Sequence, residues 1–81
     1  MNYISMNDYF RTPDIHLTAC LLCLGYKLEV IDRSNAQKLF VIQREEGLDE
    51  VIQQYFAHSL CIDPLLLVHT IKDLKTRLYH V

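Results

Sequence analysis

At 81 residues the chain has room for one domain, and with 51% of its residues apolar it can build a packed core, though only narrowly at this size. Eight Lys and Arg against ten Asp and Glu leave a net charge of −2, which excludes a broad field recruiting nucleic acid or an anionic membrane. Three Cys cannot form a complete internal disulfide framework, no basic segment precedes the apolar run at 17–26, and that run is too short to span a bilayer, so the expectation is a soluble cytoplasmic protein.

Residues 1–8, MNYISMND, have no clear period and read as an N-terminal tail or a short extra strand. Residues 9–81 read as a single domain, with no linker, repeat or low-complexity stretch. Thr12-Pro13-Asp14 predicts the start of a first helix: Thr12 can cap, Pro13 suits the first helical position, and Asp14 complements the positive end of the dipole. Gly25 is placed to end that helix as a left-handed cap. Tyr26 to Asp32 and Gln37 to Arg44 alternate enough to be strands, joined by the turn-forming run Arg33-Ser34-Asn35-Ala36. Glu45, Glu46 and Asp49 mark the start of a second helix, with Leu48, Val51, Ile52, Tyr55 and Ser59 on its inner face. A third helix starts at Asp63-Pro64, with Ile62 and Leu67 as a hydrophobic staple, and turns Leu67, Ile71, Leu74 and Leu78 inward nearly to the chain end.

The predicted class is therefore α+β, in the order helix, β-hairpin, helix, helix. A lone hairpin is marginal in water, so the helices must cover one of its faces. Strict alternation turns Leu28 and Val30 inward with Phe40 and Ile42. Ile31, Leu39 and Val41 then face outward, to be covered by the opening residues or by another molecule.

Thr12-Pro13-Asp14-Ile15-His16-Leu17, the helix ending Leu24-Gly25-Tyr26, the strand Leu39-Phe40-Val41-Ile42, and Asp63-Pro64 with Leu74-Lys75 and Leu78-Tyr79 form a recognisable series. It resembles a short prokaryotic family known only as a domain of unknown function, with a T-x-D-[IL]-x-L-A-A start, an F-x-F-like strand and a D-P…L-K…[LI]-Y ending. The resemblance covers about positions 9–80; Thr18 stands where the family favours Ala, and Ile42 where it favours Phe. It implies an α+β fold and no assigned activity. Its motifs are mostly caps and core, so no functional residue carries over.

His16, Cys20 and Cys23 fall at i, i+4 and i+7, one stripe of the first helix, and His58 and Cys61 make an H-x-x-C pair after the second. Thiolate and imidazole are zinc's preferred ligands, so two from each segment could complete a tetrahedron. Against this, Cys20 and Cys23 sit in mid-helix between leucines, where apolar surroundings disfavour the thiolate. A thioredoxin-like pair would instead open a helix after a strand. The pair reads as core, and no metal or other cofactor is expected.

Neither G-x-S-x-G, a phosphate-cradling glycine loop nor H-E-x-x-H is present, and with two glycines in all a phosphate loop is nearly excluded. No catalytic residue and no small-molecule substrate is expected, so the chain reads as a non-enzyme. Lys72, Lys75 and Arg77 cluster in the last helix near His69 and His80, while Lys27, Arg33 and Lys38 decorate the hairpin. These suit a phosphate backbone, although Asp73, Glu29 and Asp32 dilute them and an ordinary solvated face explains them equally. Leu65 and Leu66 fall off the inward stripe of the third helix, and with Ile31, Leu39 and Val41 they leave apolar surface that a small monomer struggles to bury. The expected function is a protein-association or adaptor module that binds another protein or a second copy of itself as a homodimer, with no membrane partner. A small nucleic-acid-binding regulator is the alternative, and a structural zinc domain the second.

Overall fold

The computed structural model of the chain describes residues 8–79; the expectations for residues 1–7 of the opening stretch and for His80 lie outside them. The fold is α+β, with β1 (Tyr9–Thr12), α1 (Ile15–Cys23), β2 (Leu28–Asp32), β3 (Leu39–Gln43), α2 (Leu48–Phe56) and α3 (Pro64–Tyr79). The three predicted helices and the hairpin are present, and an N-terminal strand joins them, β1 beginning just after the 1–8 stretch for which a short strand was allowed: it pairs antiparallel with β3 to give a three-stranded sheet in the order β1-β3-β2. Tyr9-Phe10-Arg11-Thr12 forms a strand because β3 supplies its ladder, with Phe10 opposite Ile42 and Thr12 opposite Phe40.

The start of α1 differs from the sequence expectation. Thr12 ends β1, and Asp14 is the cap: its Oδ1 accepts from the N–H groups of His16 (2.9 Å) and Leu17 (3.1 Å). A residue before proline is biased toward extended backbone, which keeps Thr12 in the strand. Its Oγ1 instead accepts from the Asp14 N–H at 3.1 Å. At the other end Leu24 is the C-cap and Gly25 has φ +98°. Tyr26 N–H donates to Leu21 O and Gly25 N–H to Leu22 O, the paired bonds of a Schellman motif.

The same motif ends α2 without a glycine. His58 takes φ +60°, its N–H donates to Tyr55 O, and Ser59 N–H donates to Gln54 O. Ser59 therefore lies beyond the helix and is exposed, a correction to its expected place on the inner face. Asp63 caps α3 through Oδ2, which accepts from Leu66 N–H at 2.8 Å, with Pro64 at the first helical position.

The sheet corrects the expected facing of β2. Leu28 pairs with Ile42, but the next partner of β3, Val41, pairs with Val30, so Glu29 is an extra residue in a β-bulge. One extra residue reverses the alternation that follows it. Val30 turns to the outer face (51% exposed) and Ile31 to the core (8% exposed), which overturns the expectation that Ile31 is outer surface. Glu29 is held by its own side chain, which accepts from Gln43 Nε2 at 2.6 Å.

All three helices cover one face of the sheet. Leu17 and Leu21 of α1, Ile42 of β3 and Leu48 of α2 form one buried cluster, with Phe10, Val51, Ile52 and Tyr55 packed against it. Ala19 of α1, Ile31, Phe40 and Leu74 of α3 form the other, joined by Leu67, Ile71 and Leu78. Helix α1 is thus flanked by α2 on one side and α3 on the other, which is why Leu17, Thr18, Ala19, Cys20 and Leu21 are buried in succession. Thr18 is tolerated there because its Oγ1 donates to Asp14 O at 2.9 Å.

Candidate interaction surface

The cysteine stripe runs through three environments. His16 is exposed, Cys20 is in the core, and Cys23 is half-buried at the contact with α3, where its Sγ–H donates to Thr70 Oγ1 at 3.5 Å. His58 and Cys61 are exposed in the connection from α2 to α3. Among the described residues no three His, Cys, Asp or Glu side chains come together as a metal-binding group. Burial pushes the Cys20 thiol up, and the neighbouring Cys23 and Asp14 push it further, which favours the protonated sulfur of a packing residue.

The basic residues Lys72, Lys75 and Arg77 are all exposed on α3. Arg33, in the loop after β2, has a structural task that the sequence reading missed. Its Nη1 donates to Leu78 O at 2.8 Å and its Nη2 to Arg77 O at 2.7 Å, so the guanidinium closes the carbonyl end of α3. The only sequence signal was an arginine in a turn, and its partners lie more than forty positions away.

The apolar residues proposed as surface divide in the same way. On the open face of the sheet, Val41 is only 4% exposed, lying in register between Arg11 and Val30, while Leu39 is half-buried opposite Asp32. With Tyr9, Val30 and Val41 on its floor and Arg11, Glu29 and Asp32 around it, that face holds an open hollow of about 470 Å³. Helix α3 is different. Leu65 is 64% exposed, Leu66 48% and Val68 52%, and Tyr79 stands out at the far end of the helix. Val68 and Tyr79 were not singled out by sequence, although their spacing shows it: positions 65, 68, 72, 75 and 79 alternate steps of three and four and fall on one line of a helix. That line carries Leu65, Val68, Lys72, Lys75 and Tyr79, apolar at its start and basic in its middle. Phe56 at the end of α2 is also largely exposed, its ring set edge-on to Tyr55 with centroids 5.1 Å apart.

Among the described residues no helix is long and apolar enough to cross a membrane. No curated protein and no solved structure matches the chain. A family match spans residues 7–80, nearly the whole chain, and the chain belongs to that family, described as Domain of unknown function (DUF5659).

Proposed function

We propose that the domain is a non-catalytic protein-association module that makes its contact through the first half of α3. The observation that carries this reading is the exposure of Leu65, Leu66 and Val68 within four consecutive positions of a helix whose opposite side is already packed into the core. A surface helix ordinarily has one apolar stripe, so apolar residues on the solvent side as well mark a second contact. Completing the burial of these three side chains contributes roughly 2–4 kcal/mol. Association costs about 4–15 kcal/mol in lost freedom, so further contact area must join them. The three unpaired cysteines suit the reducing cytoplasm, where this reading places the protein.

The test is the oligomeric state by native mass spectrometry and sedimentation at micromolar to submillimolar concentration. The wild type is expected to form a dimer, and Leu65→Ser with Leu66→Ser a folded monomer. A folded double variant that remains dimeric would refute the assignment of the surface, and a wild type that stays monomeric would refute self-association. The rival reading, a nucleic-acid-binding regulator, rests on the exposure of Lys72, Lys75 and Arg77. It requires salt-sensitive retention on duplex DNA that is lost when these residues become Glu.

A further inference from the structure

Resting on the association reading above, we propose that the partner is a second copy of the chain, and that the acidic flank of its α2 docks antiparallel on the basic and apolar line of α3.

The argument begins from charge. Helix α3 presents Lys72 and Lys75 in the middle of its exposed line, so two α3 lines laid antiparallel along their full length would bring like charges together. A partner must instead offer apolar surface followed by acid. Helix α2 of the same chain does so: Phe56 is 64% exposed, and Asp49 and Glu46 are exposed at the opposite end. Arg44 fixes Asp49 through an ion pair of 2.6 Å and itself lies over the Phe10 ring, so this carboxylate is held in place while 74% of its side chain still faces solvent.

The spacings also agree. Leu65 and Lys72 are seven positions apart, as are Phe56 and Asp49 in the reverse direction. On both helices this is about 10.5 Å along the axis at 1.5 Å per residue. With α2 antiparallel to α3, Phe56 sits on Leu65 when Asp49 sits on Lys72. Glu46 lies in the turn just before α2, outside its helical spacing, and adds a second exposed carboxylate at the end that faces the lysines. Each copy carries both faces, and the dimer proposed is the reciprocal one, in which a twofold axis relates the two contacts.

Charge exchange tests this directly. Variant one, Lys72→Glu with Lys75→Glu, makes both faces acidic; variant two, Glu46→Lys with Asp49→Lys, makes both basic. Each alone is expected to be monomeric, with the dissociation constant raised roughly tenfold or more per reversed pair. An equimolar mixture is expected to give a one-to-one heterodimer in native mass spectra, weakened by salt. If variant two does not fold, Glu46→Gln with Asp49→Asn replaces it and is expected to weaken the wild-type dimer by roughly tenfold. A dimer that Leu65→Ser and Leu66→Ser dissociates but charge reversal leaves intact would overturn this docking while sparing the association reading. A monomeric wild type that binds duplex DNA through Lys72 and Lys75 would overturn both.

Discussion

Replacing Arg33 tests whether the hairpin loop holds the end of the longest helix. The last turn of any α-helix leaves carbonyl groups without intrahelical partners. In α3 the carbonyls of Arg77 and Leu78 receive the two arms of the Arg33 guanidinium at 2.7 and 2.8 Å. Hydrogen bonds from a charged donor contribute about 1.5–3 kcal/mol when sheltered and less in water. Arg33 is exposed, so about 1–2 kcal/mol for the pair is the reasonable magnitude. In a domain of this size each kcal/mol moves the midpoint by about 4–8 °C, so Arg33→Ala should lower Tm by roughly 5–15 °C. Arg33→Lys separates geometry from charge. It keeps a cation near the negative end of the helix, a contribution of about 0.3–1 kcal/mol, but loses the planar fork. Its Tm should fall between those of the wild type and the alanine variant. Thermal unfolding followed by far-ultraviolet circular dichroism measures both. An Arg33→Ala protein melting within about 1 °C of wild type would refute the reasoning. A lysine variant matching wild type would show that charge alone acts.

Thiol labelling under native conditions should modify Cys61 first, Cys23 more slowly and Cys20 only on unfolding, because they are exposed, half-buried and buried in that order; timed alkylation read by mass spectrometry would contradict this if Cys20 reacted as fast as Cys61. The Cys20 and Tyr55 groups are both pushed up, chiefly by burial, so the folded state holds their protons longer than the unfolded chain does. Stability from this source is complete below the unfolded-state values, about 8.5 for a thiol and 10 for a phenol, and falls as pH rises through that range. Urea midpoints should therefore drop on the alkaline side, with the thiol part of the slope removed in Cys20→Ala; a flat profile in wild type would count against it. Gly25 and Gly47 both have positive φ, but a Cβ at Gly25 meets nothing within 4 Å whereas one at Gly47 comes to 3.0 Å from Tyr26 Oη. Gly25→Ala should then cost about 1–2 kcal/mol from backbone conformation alone. Gly47→Ala should cost more, since the Tyr26 hydroxyl that donates to Glu46 O must also move; equal urea midpoints would refute the distinction.

Features carried by local chemistry were legible from the sequence. Asp63-Pro64 starts α3, Gly25 closes α1, and the stripe Leu67, Ile71, Leu74 and Leu78 is the side that packs, because cap, turn and period act within a few residues of one another. Features that depend on a distant partner were not. β1 exists only through β3, thirty positions on, and the strong cap signal at 12–14 drew the helix start two residues early. His58 ends α2 in a conformation whose usual sequence signal is glycine. On the surface, Leu65 and Leu66 were legible because they break the α3 stripe. The Arg33 contact was not, because nothing in a turn sequence says which helix end lies above it.

The β-bulge decides which aliphatic side chain of β2 reaches the open face of the sheet. LEVID alternates as well in one phase as in the other after Leu28, and only the register with β3 decides that Ile31, not Val30, enters the core. The inserted Glu29 also interrupts the ladder on an edge strand, and its side chain is bonded to Gln43. Bulges and charges at such positions blunt an edge against pairing with another sheet. On the open face Val41 is 4% exposed, while Val30 opposite it is 51% exposed. The first half of α3 exposes three aliphatic side chains, and Lys72 and Lys75 follow Leu65 and Val68 on the same line of the helix.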